Sequence, residues 1–249
     1  MSTLEVTQEA GVRFLQFDNH WIQGAMRVSR PWALELGYTR LMMFGLLLHA
    51  EGAWPRAVLQ IGLGAGSITR FLYRYRPYAR LVVVEIDPRV VMTAWDCFLL
   101  PAESRRLKIE LEDGYQYMSA TNSRFDWIMV DGFKADARTG RLNSLAFFRH
   151  CRERLADGGL LVVNLLGPPV EVKKGIERIG RAFSRRVLVL PRYEDNTIVL
   201  AATGAEVDIT FEVLCRRAQR LRRATGLNLL PAVARLVKVL GRDSDGMKI

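Results

Sequence analysis

Residues 58–67 read VLQIGLGAGS, an apolar run that enters three glycines at alternate positions, Gly62, Gly64 and Gly66. Three later apolar runs end in acids: LVVVEID carries Glu85, LKIELED ends at Asp113, and FDWIMVD ends at Asp131. A glycine loop after a strand lets backbone approach a ligand closely. A carboxylate about 20 residues further on can accept two hydrogen bonds from a ribose diol. The third glycine of the GxGxxG dinucleotide form is absent, because Ser67 stands there; the spacing fits better the loop that holds the amino-acid end of S-adenosylmethionine. Asp113 is placed to accept from an adenine amine, with Gly114 letting the ring reach backbone, and is equally suited to cap a following helix. Asp131 falls over the reactive end of such a ligand. Three acids at successive strand ends behind a glycine loop point to an adenosine nucleoside site.

The acids can meet only if their runs are neighbouring strands of one sheet. Strand-like runs at 57–62, 81–87, 107–113, 125–131 and after Gly158-Gly159 alternate with helical stretches at 67–75, 88–100, 143–155 and from Val170. Pro88 suits a first helical turn, and Asn143 is a plausible cap. Near-continuously apolar strands separated by helices imply a parallel sheet covered on both faces. RVLVLP and NTIVLAA, joined by the short RYED, are expected to close the sheet as an antiparallel edge. Before the first strand, VRFLQFDNHWIQGAMRV alternates like a small hairpin or meander, and PWALELGYTRLMMFGLLLHA reads as a helix. The expected organisation is a small β-hairpin and helix unit at 1–50, a Rossmann-like nucleoside-binding domain at 51–204, and a basic helical extension at 205–249.

The chain has 249 residues, 49% of them hydrophobic, which is enough for a sizeable core. Net charge is +10. Part of the excess is local: residues 205–249 hold nine Lys/Arg against five Asp/Glu, and RRAQRLRR lies opposite Phe211, Leu214, Ala218 and Leu221 on a helical pattern. That pattern reads as a helix packed on the body with a solvated basic side; nucleic acid stays an open partner, not the favoured one. No apolar run is long enough to span a membrane, and the polar, acidic MSTLEVTQEAG reads as no signal peptide. Cys97, Cys151 and Cys215 are far apart and lack CxxC spacing, so reduced thiols in a cytoplasmic protein are expected, without a metal site.

Taken together, residues 11–203 resemble the spermidine synthase family, the polyamine aminopropyltransferases. RFLQFDNHWIQGAM is similar to the family's strand pair carrying a glutamine, here Gln23. LGYTRLMM is similar to its Tyr-His-Glu helix start, with Tyr38 kept and Thr39 and Arg40 in place of the other two. The resemblance implies a ribose role for Glu85, an adenine role for Asp113 and Gly114, and proton acceptance by Asp131. Through LPRYEDN it implies that Tyr193 lines the amine pocket with Tyr38. It further implies decarboxylated S-adenosylmethionine as co-substrate, a small amine acceptor such as putrescine, no metal and no membrane, and a homodimer is expected. Two family aspartates that hold ammonium groups are replaced, one by Ala65 in the glycine loop and one by Lys134. Each loss is expected to weaken amine binding about 10–100-fold, and an acid restored at 65 to tighten the decarboxylated co-substrate. Asp136, Glu194 and Asp195 are nearby acids that could compensate. Methyl transfer from S-adenosylmethionine, and a non-catalytic binding protein on the same scaffold, stay open as alternatives.

Overall fold

The computed structural model describes residues 3–17, 21–49, 52, 54–132, 140–241 and 244–249. At the N-terminus β1 (Leu4–Glu9), β2 (Val12–Phe17) and β3 (Trp21–Arg27) form an antiparallel meander. β1 falls in a polar stretch without a strand signal; its residues from Val6 to Glu9 face solvent, and among the described residues β2 alone pairs with it. The expected long helix at 31–50 is shorter. Gly37–Met42 is helical (α1), and the chain then tightens into a 3₁₀ turn at Met43–Leu47. There Gly45 crosses Trp127, so closely that a Cβ would come within 3.1 Å of the indole.

The main sheet contains β4 (Ala57–Ile61), β5 (Arg80–Glu85), β6 (Leu107–Leu111), β7 (Phe125–Val130), β8 (Leu155–Leu165), β9 (Val187–Val189) and β10 (Thr197–Ala202). Its order is β6-β5-β4-β7-β8-β10-β9, parallel from β6 to β8, with β10 antiparallel to both β8 and β9. Helices α2 (Ser67–Tyr75), α3 (Pro88–Phe98), α4 (Gly114–Ala120), α5 (Leu145–Arg154) and α6 (Pro169–Ala182) connect the strands. The sheet is buried on both faces: on β7, Trp127 and Met129 join one apolar cluster while Ile128 and Val130 join the other. That is why these strands read as unbroken apolar runs. Two local expectations are corrected. The α5 cap is Ser144, whose hydroxyl accepts from Phe147 N at 3.2 Å, and not Asn143. The Gly158-Gly159 pair lies inside β8, in a bulged stretch where Phe125 pairs with Leu155 and Trp127 with Leu160.

Beyond the sheet, β11 (Asp208–Thr210) pairs with β12 (Gly246–Lys248) around α7 (Phe211–Thr225) and α8 (Leu230–Leu240). Leu214, Ala218 and Leu221 are buried as the α7 pattern implies, while Arg216, Arg220, Arg222 and Arg223 are exposed. No helix of the described residues is long and apolar enough to cross a membrane.

Two contacts lock the N-terminal meander onto the glycine loop. Arg70 on α2 is fully buried; its guanidinium donates to the carbonyls of Pro31, Phe98 and Ala65. Gly24 on β3 lies against Ala65, so a Cβ there would overlap the Ala65 methyl and come within 2.7 Å of its amide nitrogen. Gly24→Ala is therefore expected to lower Tm by about 3–8 °C, the scale of an overpacked core site. Gly180→Ala in α6, where a Cβ meets nothing within 4 Å, is expected to hold or slightly raise Tm. Differential scanning fluorimetry of the two variants checks the contrast.

Candidate functional site

A cavity of about 500 Å³ opens outside the carboxyl ends of the parallel strands, at the switch in strand order between β4 and β7. Gly62 and Gly64 line it with φ of +90° and +53°. Both must lack a side chain: a Cβ on Gly62 would overlap the Asp131 carbonyl oxygen, and one on Gly64 would come within 2.8 Å of the Gln23 carbonyl oxygen. From below, Gln60 Nε2 donates to Gly62 O at 2.7 Å, and Thr69 Oγ1 donates to Gln60 Oε1 at 2.8 Å. Gly66 does not line the cavity; it is the left-handed N-cap of α2 and packs toward Leu100.

Glu85, at the end of β5, is the anchor of this loop. Its Oε2 accepts from Leu63 N at 2.9 Å, and its Oε1 from Ile86 N at 2.8 Å and Asp87 N at 3.0 Å. Burial nevertheless raises its pKa above the ordinary carboxylate value, outweighing those three bonds. Asp113 lines the cavity while its Oδ1 caps α4, accepting from Tyr115 N and Gln116 N at 3.0 Å each. Gly114 lines it too, and there a Cβ would come within 2.5 Å of Ile61 Cγ2.

Asp131 closes β7. Asn164 Nδ2, from β8, donates to Asp131 Oδ1 at 2.9 Å, and the Tyr38 hydroxyl, from α1, donates to the same carboxylate. Burial pushes the Asp131 pKa up to about 6 against the pull of both bonds. Burial, with the charge of Asp131 beside it, raises the Tyr38 phenol well above its ordinary value and keeps it a donor. Gln23 and Tyr38 line the same cavity, so the structure brings together Gln23, Tyr38, Gly62, Gly64, Glu85, Asp113, Gly114 and Asp131.

Two sequence expectations are relocated. Tyr193 does not line the cavity: its ring lies against Gly37 and under the Arg235 guanidinium at 5.4 Å, and its neighbours Glu194, Asp195 and Asn196 line the wall instead. Ala65 is 1% exposed and borders a separate void of about 10 Å³ shared with Gln23, Tyr38, Thr39, Gln60 and Asp131. A void of that size holds a water at most, so it leaves no room for a carboxylate at 65 without a shift of its neighbours. Lys134 and Asp136 lie outside the described residues. Sequence reasoning missed Asn164, 3% exposed and the lone amide in an apolar strand, and Arg141, which lines the cavity with its guanidinium 3.8 Å over the Tyr115 ring. An amide interrupting a doubly buried strand was the available signal for the first.

Seven carboxylates and one arginine line the cavity of a chain whose net charge is +10. Such a lining suits a ligand with hydroxyl donors and a positive charge. Among the described residues no three His, Cys, Asp or Glu side chains are grouped as metal ligands would be.

The family model described as "Spermine/spermidine synthase domain" matches residues 35–211. A polyamine aminopropyltransferase of Neisseria meningitidis is 34% identical over 224 residues, covering 90% of this chain and 84% of that protein. Among solved structures, a probable spermidine synthase from Corynebacterium glutamicum superposes with a TM-score of 0.73 at 21% identity, over 91% of this chain and 92% of that one. Human methyltransferase-like protein 13, in complex with SAH, superposes with a TM-score of 0.67 at 23% identity, over 77% and 93%. These last two likenesses concern the fold.

The raised pKa of Asp131 has a consequence for stability. Its folded value, about 6, exceeds the ordinary 3.8, so the folded state holds the proton more tightly than the unfolded chain. The penalty is absent below about pH 4, grows between pH 4 and 6, and is complete above. Asp131→Asn is therefore expected to melt about 2–6 °C above the wild type at pH 7.5, with the gap closing toward pH 4. Tm measured against pH for both proteins checks the sign.

Proposed function

The chain belongs to the spermine/spermidine synthase family, and on that premise we propose that it moves an aminopropyl group from decarboxylated S-adenosylmethionine to an amine acceptor such as putrescine. The observation that carries the reading is Asp131, a buried carboxylate with a pKa of about 6, fixed by Tyr38 and Asn164 in the wall of the acid-lined cavity. The residues present fit the co-substrate. Glu85 and Asp113 supply acceptors for the ribose and the adenine amine, Gly62 and Gly64 let backbone close on it, and Gln23 lies beside them.

The co-substrate supplies a carbon made electrophilic by its sulfonium, so the reaction needs no metal. Asp131, ionised above pH 6, takes the proton of the attacking amine and leaves it a nucleophile. The nitrogen lone pair then forms the C–N bond as the C–S bond breaks, its electrons passing to sulfur, and 5′-methylthioadenosine leaves. Tyr38 remains protonated throughout; its hydroxyl and the Asn164 amide hold the carboxylate in line, which is where orientation lowers the barrier. Residence in the cytoplasm and a homodimeric assembly belong to the same proposal.

A product assay with putrescine and either co-substrate tests the reading. Aminopropylated product is expected only with the decarboxylated form; a methylated product from S-adenosylmethionine would replace it with the methyltransferase reading, and no binding of either would favour a non-catalytic role. Asp131→Asn is expected to lower kcat by about 10²–10⁴ while 5′-methylthioadenosine affinity falls far less, and to abolish the decline in rate that the wild type shows as pH drops through about 6. Glu85→Ala frees three backbone donors at once and is expected to abolish binding of 5′-methylthioadenosine, measured by calorimetry.

A further inference from the structure

The parallel strands of the main sheet are entered by arginines. In sheet order, Arg106 precedes β6, Arg80 is the first residue of β5, Arg56 precedes β4, Arg124 precedes β7 and Arg154 precedes β8. Backbone pairing draws the first three together: Leu81 N donates to Arg106 O and Arg80 N to Arg56 O, each at 2.7 Å. Beside them Phe125 pairs with Leu155, which sets Arg124 next to Arg154. Neighbouring strands lie about 4.8 Å apart, so the row crosses about 20 Å of sheet. It occupies the end opposite the cavity, a strand length of about 16 Å away.

Helix ends explain part of the row. The helices of this fold finish where the strands begin, and a guanidinium can answer their last carbonyls. Arg106 does so for α2: it donates to Tyr73 O at 2.9 Å and Arg76 O at 3.0 Å, with its guanidinium 4.3 Å over the Tyr73 ring. Arg124 Nη1 donates to Leu155 O at 3.1 Å. Arg56, Arg80 and Arg105 have no such task. They are exposed, and their side chains have no hydrogen-bond or ion-pair partner among the described residues. Arg105 shares with Arg106 the tip of a turn that Ser104 and Leu107 close. The acids of this end are turned to backbone instead. Asp126 Oδ2 accepts from Arg56 N at 2.7 Å and Ala57 N at 2.9 Å, and Glu103 Oε1 accepts from Ile109 N at 2.8 Å.

The chain leading into β5 adds aromatic rings to these cations. Residues 73–80 read YRYRPYAR, with tyrosines and arginines interleaved. Tyr78, two residues before Arg80, is 70% exposed. A row of unpaired like charges is answered by a polyanion, and an exposed ring beside it is answered by a base free to stack.

We propose that this end of the sheet binds single-stranded nucleic acid, with Arg56, Arg80 and Arg105 on its phosphates and Tyr78 stacked on an unpaired base. The surface is separate from the transfer site and does not depend on the reaction assigned there.

Fluorescence anisotropy on the full chain tests this, with labelled oligouridylate and oligothymidylate of about 12 nucleotides, within the usual range for one such surface. Three variants are compared with the wild type. The first carries Arg56→Gln, Arg80→Gln and Arg105→Gln; the second is Tyr78→Ala; the third carries Arg220→Gln, Arg222→Gln and Arg223→Gln on α7 and removes the same charge elsewhere. The first is expected to bind about 10-fold or more weakly near physiological salt, with the slope of log K against log salt reduced by about 2. Tyr78→Ala is expected to weaken binding about 5-fold or more, the scale of one lost stack. The α7 variant is expected to lose about 2-fold at most, because charges beyond a Debye length are screened. All the replaced side chains are exposed, so Tm is expected to stay at the wild-type value in each variant. These losses with either oligonucleotide support the site, and the tighter of the two shows which sugar it favours. Equal losses in the two arginine variants overturn the proposal, because the net charge alone would then be acting. Wild-type affinity in Tyr78→Ala overturns it too, leaving a polyanion surface that reads no base. Binding to phosphatidylglycerol vesicles without binding to either oligonucleotide replaces it with a membrane surface.

Discussion

The desolvated carboxylate of Asp131 is the constraint on which the rest of the site depends. Its oxygens are held by Tyr38 from the N-terminal unit and Asn164 from the neighbouring strand, so three separate segments must be docked before it is in place. The sheet order supplies one of those contacts, since β8 lies directly beside β7. The meander supplies another, because Gly24 closes on Ala65 and Arg70 ties Pro31 to the same loop, which brings α1 and its tyrosine over the strand ends. Even the first glycine of the loop answers to Asp131, whose carbonyl occupies the space a side chain at 62 would need. The charge on which the proposed proton transfer depends is the same charge that burial penalises, so the fold carries a stability cost at this carboxylate.

The electrostatics run against the overall charge. At long range a chain of +10 repels polyamines, but that field is screened over about 8–10 Å in physiological salt. Inside the cavity the local lining wins. Most of its acids are already occupied: Glu85 by three backbone donors, Asp113 by its cap, Asp87 by Arg89 and Asp195 by Arg192. These hold the loop, helix starts and turn in shape. Glu112, Asp131 and Glu194 are the cavity acids left with neither a cationic partner nor a backbone donor among the described residues.

Much of this was legible in the sequence because doubly buried parallel strands are apolar runs, and the acids that end them must converge at one edge. Glu85, Asp113 and Asp131 were found that way. The loop itself was legible as a loop but not in its directions: three glycines with positive φ carry no periodicity, so nothing local says that Ala65 turns away behind the cavity while Gly64 faces it. Tyr193 and Glu194 show the same limit in a hairpin, where a shift of one residue moves a side chain from one wall to another. β1, β11 and β12 were illegible for a different reason. They are short, half-exposed and paired on one side, so they lack the apolar pattern that burial writes into a central strand.

Titration calorimetry of the full chain with S-adenosylmethionine and with its decarboxylated form measures the central claim most directly, because the two ligands differ only in a carboxylate that would approach the amine end. The account predicts that the decarboxylated form binds at least about 10-fold tighter, since a second carboxylate brought near Asp131 is repelled in a poorly solvated cavity. Equal or tighter binding of S-adenosylmethionine would contradict it.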